Sequence, residues 1–328
     1  MTAQARWHVT ERSVGLSSHE RLLRDVQEGL TQDPPWLPAR WFYDEKGSLL
    51  FDDITTLPEY YPTRRETEIL TAHADDIARL SDAGALVELG SGTSTKTRLL
   101  LDALTARRPD LLFVPIDVSV EVLSDAAART AETYPSITVE AVVADFEDPL
   151  GPLPGVAGGR LVAFLGGTIG NLNVAGRGAF LDRLRAAMDV GDHFLLGADL
   201  VKDVDRLVAA YDDSAGVTAA FNRNVIDVLR ASLHADGLVA DDFEHVARWN
   251  APEGRIEMWL RARRPIRARF PELDLDWSLP AGGELLTEIS MKFEVDVLRA
   301  ELAAHGFQAV ETWTDAAGDF SLTLSRVA

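Results

Sequence analysis

In Ala85-Leu86-Val87-Glu88-Leu89-Gly90-Ser91-Gly92-Thr93-Ser94-Thr95-Lys96 an apolar run ends in a Gly-x-Gly turn, and an amphipathic run over 96–104 follows at once. This is the pattern of a buried parallel strand, a sharp turn and a helix N-terminus. Glycine suits the turn because a missing Cβ permits φ > 0 and close approach of backbone to a ligand. The helix start adds unpaired N–H groups. The third glycine of a dinucleotide fingerprint is absent, since Thr95 stands three residues after Gly92. Glu88, just before the turn, fits an S-adenosylmethionine (SAM) site better than a dinucleotide site. A plain strand–helix turn remains the alternative.

The flanking chain alternates strand and helix. A helix is expected over 66–80, with His73 as a partly exposed helix residue rather than a ligand. After the Gly-x-Gly unit, the apolar run 111–119 ends in Asp117, 27 positions beyond Gly90. That is where a second strand presents a ribose-binding carboxylate; capping the helix that begins near Val120 is its other possible job. The third strand, 137–144, is closed by Asp145-Phe146, an acid and an aromatic suited to an exocyclic amine and a base, or else a turn and a core ring. Strand 161–165 runs into Gly166-Gly167-Thr168-Ile169-Gly170-Asn171, where small residues leave room for substrate and Asn171 brings donor and acceptor. A helix over 177–188 and a strand over 193–198 continue the alternation. A helix over 294–305, Gly306, and strands over 307–315 and 320–326 close the chain as many SAM-dependent methyltransferases close.

Two stretches stand outside this alternation. Residues 1–64 hold a helix over 19–30, capped by Ser17 or Ser18, then a Pro-rich connector. Seven aromatics follow between Trp36 and Tyr61, dense for a chain that is 8% aromatic. A hydrophobic lid and tyrosines facing a ligand are both open readings. Residues 201–292 give two helical runs, 204–212 and 217–233, carrying Tyr211, Phe221 and Asn222. A strand pair, 243–249 and 255–261, follows with Met258 on a core face. In an extended Thr287-Glu288-Ile289-Ser290-Met291, Glu288 and Ser290 share one face, which the pattern alone leaves solvated. The expected fold is α/β: a Rossmann-like class I SAM methyltransferase sheet over 65–200 and 293–328, with a second α+β substrate-binding domain from 1–64 and 201–292.

Composition narrows the function. The 328 residues carry a net charge of −20 and no cysteine. The charge argues against nucleic acid, and the missing cysteine removes disulfides, thiolate catalysis and Cys-ligated metal. No apolar run approaches the ~18 residues of a membrane span, and 1–9 lacks a signal-peptide core. The expectation is a soluble, cytoplasmic monomer with no membrane or nucleic-acid partner and no metal.

With these residues in hand the chain resembles the histidine Nα-methyltransferases of ergothioneine biosynthesis. The resemblance runs through Phe42-Tyr43-Asp44, Gly47-Ser48, Leu50-Phe51-Asp52, Pro58-Glu59-Tyr60-Tyr61-Pro62-Thr63-Arg64, Glu88-Leu89-Gly90-Ser91-Gly92, Gly170-Asn171 and Thr287-Glu288-Ile289-Ser290. It implies trimethylation of the α-nitrogen of L-histidine to hercynine, with SAM as cosubstrate and S-adenosylhomocysteine as product. It implies Gly90, Lys96, Asp117, Asp145 and Phe146 as SAM contacts. Asn171 and Tyr211 would fix the substrate carboxylate and amine, with Asn171 and Tyr43 catalytic. Tyr60, Glu288 and Ser290 would read the imidazole, with Phe51, Met258 and Gly166 completing the wall. Three alternatives stay open: the same chemistry on another aromatic amino acid such as tryptophan, a nicotinamide dehydrogenase, and a SAM-binding regulatory protein.

Overall fold

A computed structural model describes residues 6–11, 16–92, 96–151 and 153–328; Thr93, Ser94 and Thr95 of the turn, and most of the N-terminal 1–9 segment, lie outside them. The chain divides into two compact units, one of residues 1–14, 62–200 and 293–328, the other of 15–61 and 201–292.

The larger unit is an eight-stranded sheet. Its strands are β1 (Trp7–Glu11), β2 (Ala85–Leu89), β3 (Leu112–Asp117), β4 (Thr138–Val143), β5 (Arg160–Phe164), β6 (His193–Asp199), β12 (Phe307–Thr314) and β13 (Phe320–Val327). Their spatial order is β1-β4-β3-β2-β5-β6-β13-β12. The pairs from β1 to β6 are parallel, and β13 runs antiparallel to both β6 and β12. From β2 the chain builds outward to β3 and β4, then returns to place β5 on the other side of β2. That reversal is a topological switch point, and ligands of such sheets bind outside the carboxyl ends of the strands there. Register sets the two central turns side by side, because Leu89 pairs with Phe164. The buried strands read as unbroken apolar runs because helices cover both faces of a parallel sheet. These helices are α3 (Pro62–Ser81), α4 (Thr97–Arg107), α5 (Val120–Thr133), α6 (Val174–Ala187) and α9 (Val295–Ala304). Leu70, Ile77, Leu86, Leu100, Phe113, Leu161 and Phe320 form part of their common core. Proline at the first position of α3 costs nothing, since no intrahelical acceptor awaits its missing N–H.

The N-terminal segment departs from expectation. The sequence pattern places residues 1–64 in the second domain, yet β1 pairs with β4 from Trp7–Val139 to Glu11–Val143. Trp7 and Val9 pack against the core of the larger unit, so alternation in Trp-His-Val-Thr-Glu is that of an edge strand.

The smaller unit has its own core, including Val26, Phe42, Phe221, Leu229, Phe243 and Leu260. It contains α1 (Ser18–Leu30), α2 (Glu45–Thr56), α7 (Val204–Ala209) and α8 (Val217–Ser232). Ser17 and Glu20 close a reciprocal capping box on α1. Strands β7 (Phe243–Asn250), β8 (Arg255–Ala262) and β11 (Glu284–Met291) form an antiparallel sheet in the order β11-β8-β7, and β9 (Ile266–Phe270) pairs with β10 (Leu275–Leu279). Neither α2 nor the β9–β10 hairpin follows from the sequence pattern described above. A bulge between Leu286 and Glu288 interrupts the β11–β8 register. Among the described residues no helix is long and apolar enough to cross a membrane, and no group of three or more His, Cys, Asp or Glu could hold a metal ion.

Candidate active site

In the larger unit the site begins at the turn after β2. Gly90 and Gly92 have φ of 67° and 48°, the left-handed region that favours glycine. The Gly90 N–H donates to the Ile116 carbonyl at 2.8 Å, and the Gly92 N–H donates to Asp117 Oδ2 at 2.9 Å. Asp117 Oδ1 accepts from the Ser119 N–H at 3.1 Å. The cap of α5 is Ser119, whose hydroxyl accepts from the Val122 N–H. Asp117 is thus not needed as a cap, and each of its oxygens keeps lone-pair capacity beyond the bond named. Phe146 approaches the turn: a Cβ on Gly90 would lie 3.9 Å from its ring. The ring also packs on Phe164, with centroids 5.0 Å apart. Asp145 Oδ1 accepts from the Glu147 N–H.

Two buried carboxyl groups lie behind this turn. Glu88 Oε1 accepts from the Thr97 hydroxyl at 2.6 Å, while Oε2 is buried without a partner. Burial pushes its pKa up to about 8. Glu66, fully buried, pairs with the Lys96 ammonium and accepts from the Gly166 N–H at 2.8 Å. A Cβ at Gly197 would stand 2.3 Å from Glu66 Oε1, so glycine makes room for the acid. Gly166 and Gly167 turn with φ of 78° and 71° into the 3₁₀ turn Thr168–Asn171. This places Asn171, half-buried, at the end of that turn.

In the smaller unit Tyr43, Phe51 and Tyr60, three of the aromatics of 36–61, lie on a continuous ring path. Tyr43 meets Phe51 edge-on at 5.5 Å, Phe51 meets Tyr60 at 6.2 Å, and Tyr60 meets Tyr211 at 6.5 Å. Phe221 fills the centre, 5.5 Å from Tyr43 and 6.0 Å from Phe51. The path ends in polar atoms. Tyr211 Oη is 2.8 Å from Ser290 Oγ, and Lys292 Nζ donates to both, at 2.9 Å and 2.8 Å. The Glu288–Ser290 face, solvated on pattern alone, is instead buried at Ser290 and Lys292. Burial pushes the Glu288 carboxyl up to about 7, against the opposing pull of the Lys292 charge. Met258, 1% exposed, pairs with Glu288 across the strands. Tyr211, expected within a helical run over 204–212, sits in the turn beyond α7 and donates its N–H to the Val208 carbonyl.

Each unit therefore gathers its own share of the expected residues: Gly90, Lys96, Asp117, Asp145, Phe146, Gly166 and Asn171 in one, Tyr43, Phe51, Tyr60, Tyr211, Met258, Glu288 and Ser290 in the other. Sequence reasoning missed Glu66 and Lys292. The second had a signal, since Glu288, Ser290 and Lys292 alternate on one face. His73 proves to be a helix residue stacked on Trp313 at 5.5 Å.

The chain matches the family described as "Histidine-specific methyltransferase, SAM-dependent" over residues 22–327. It belongs to that family. The methyltransferase is 54% identical over 311 residues to the "Histidine N-alpha-methyltransferase" of Mycolicibacterium smegmatis, covering 94% of this chain and 96% of that one. It is 53% identical over 309 residues, with the same coverages, to the protein of that name in Mycobacterium tuberculosis. It is 33% identical over 287 residues to "Ergothioneine biosynthesis protein 1" of Neurospora crassa, covering 86% of this chain and 32% of that protein. The larger unit of this methyltransferase suits SAM. A glycine turn with φ > 0 allows close approach of a nucleoside to the backbone, and a carboxylate at the end of β3 that is not the cap of α5 keeps lone pairs for ribose hydroxyls.

Proposed function

We propose that this methyltransferase transfers three methyl groups in succession from SAM to the α-amino nitrogen of L-histidine, giving hercynine for ergothioneine biosynthesis. The observation that carries the reading is its alignment with 96% of the length of a mycobacterial histidine N-alpha-methyltransferase at 54% identity.

SAM supplies an electrophilic methyl on a sulfonium sulfur, and S-adenosylhomocysteine is left. What the chain must do is orient. Placing nitrogen, methyl and sulfur in line accounts for most of the rate in such a displacement. In the larger unit Gly90, Lys96, Asp117, Asp145 and Phe146 hold SAM, while Asn171 and Gly166 meet the amino-acid amine. In the smaller unit Tyr211 and Tyr60 fix the amino acid and Tyr43 assists at the amine. Each attack needs a neutral amine, and an amide carbonyl with tyrosine hydroxyls orients its lone pair and relays the lost proton without a strong base. After the third methyl no lone pair remains, so the reaction stops by valence.

Selectivity follows from the buried polar group. Glu288 accepts one imidazole N–H and the Ser290 hydroxyl pairs with the other ring nitrogen, while Met258 and Phe51 line the ring. A side chain without those partners leaves the carboxyl group buried and unpaired, which is strongly penalised. Incubation with SAM and each aromatic amino acid, read by mass spectrometry, tests the reading: histidine alone should gain three methyl groups. Tryptophan trimethylated in preference to histidine would overturn it. The reading also takes the enzyme as a cytoplasmic monomer acting on a free amino acid, in keeping with its net charge of −20; light scattering on the eluting protein tests the monomer.

A further inference from the structure

Behind the Tyr211–Ser290 pair lies a second polar chain that touches none of the residues expected to read the substrate except through their backbone. His245, on β7, places Nε2 2.8 Å from the Tyr211 carbonyl oxygen and Nδ1 2.8 Å from Asn222 Nδ2. Asn222, on α8 and fully buried, donates also to the Trp259 carbonyl at 3.1 Å. Its Oδ1 lies 2.6 Å from the Thr287 hydroxyl, which stands 3.0 Å from the Met258 carbonyl.

The directions of these bonds are fixed by their ends. A carbonyl only accepts, so His245 Nε2 carries the proton and Nδ1 accepts. Asn222 then spends both amide protons, on His245 and Trp259, and its oxygen is left to accept from Thr287. Burial lowers the His245 pKa, keeping the ring in the neutral form the chain requires. The two ends are the turn that presents Tyr211 and the bulge between Leu286 and Glu288. A bulge re-aims the side chains that follow it, here Glu288 and Ser290.

We propose that His245 and Asn222 are positioning residues that hold the Tyr211 turn and the Thr287 bulge at a fixed separation, and so set which amino-acid side chain the site accepts. The proposal rests on Tyr211 reading the amino-acid end and Glu288 the ring end of the substrate. Neither His245 nor Asn222 touches substrate in this scheme.

The test is steady-state kinetics on His245→Phe, His245→Gln and Thr287→Val, with SAM affinity by calorimetry and activity on tryptophan measured alongside. His245→Phe removes both bonds and should raise the histidine KM about tenfold, with SAM affinity within about twofold and a larger share of turnover on tryptophan. His245→Gln retains a donor for the Tyr211 carbonyl and should recover most of the loss. Thr287→Val, nearly isosteric, should reproduce the KM effect from the other end and decides the matter if the histidine variants do not fold. An unchanged histidine KM in His245→Phe or Thr287→Val, or SAM affinity falling in step with it, would overturn the proposal. Glu288→Ala separates the two levels. If it also leaves the histidine KM unchanged, the assignment of the imidazole site is wrong; if it raises KM while His245→Phe does not, only the positioning role fails.

Discussion

A carboxyl group that ionises near pH 7 instead of near 4 is a costly thing to keep, and this chain keeps two, Glu88 buried and Glu288 half-buried. Glu288 is held up to about 7 and Glu88 to about 8, both chiefly by burial. Glu288 has a reader's role to justify its place. Glu288→Ala should raise the histidine KM by tenfold or more while the SAM KM stays within about twofold; equal effects on both would remove it from the imidazole site. Glu88 bears on stability. Its folded pKa lies above the unfolded value, so the folded state binds more protons between the two. Its contribution is therefore complete below about pH 4.3 and is lost as pH rises through about 8. Glu88→Gln, neutral at every pH, should gain thermal stability relative to the parent on going from about pH 6.5 to about pH 8.5. A difference in melting temperature that does not change with pH would mean that Glu88 is ionised throughout.

Among the elements, α2 shows how a local rule and a tertiary contact can disagree in sign. Asp44 caps it by accepting from the Gly47 N–H at 2.7 Å, and a glycine in its first turn is a poor helix former, about 1 kcal/mol worse than alanine. Propensity alone therefore predicts that Gly47→Ala stabilises. The Cβ it adds would stand 1.6 Å from the Phe42 carbonyl oxygen, and forcing the backbone apart costs more, roughly 3 kcal/mol. Gly47→Ala should lower the melting temperature by several degrees in a scanning calorimeter; a rise would show that the 3₁₀ turn Ala39–Phe42 yields freely. The same conflict explains why α2 could not be read in advance, with Gly47, Ser48, Asp52, Asp53, Thr55 and Thr56 diluting its apolar face. The parallel strands were legible because burial on both faces writes itself as apolar runs ended by glycine turns. Asp117 and Glu288 were legible as types of residue at strand ends and alternating positions. The Thr287 bulge and the Asn222–His245 pair were not, since they depend on contacts between segments far apart in sequence. The edge strand β1 fell between these cases, because five alternating residues carry too weak a signal to assign to one sheet.

For the whole molecule, two cores in one chain leave each unit to bury its own apolar surface, and the surplus charge is carried by both. The chain has 52 acidic and 32 basic residues. Salt acts on this in opposite directions. It screens repulsion among the uncompensated acids, which stabilises the folded state. It also weakens exposed pairs such as Arg79–Asp76 and Lys46–Asp227, but such pairs contribute only about 0–1 kcal/mol each. Buried pairs such as Arg160–Asp192 are screened much less. With 20 charges in excess, the repulsive term should win. Raising sodium chloride from about 10 mM to about 200 mM shortens the screening length from about 30 Å to below 10 Å, and the melting temperature should climb by a few degrees before levelling off. Chloride is the right anion for the measurement, because sulfate strengthens apolar burial by a separate route. A melting temperature that falls over that range would mean that attractive surface pairs outweigh the excess of acid.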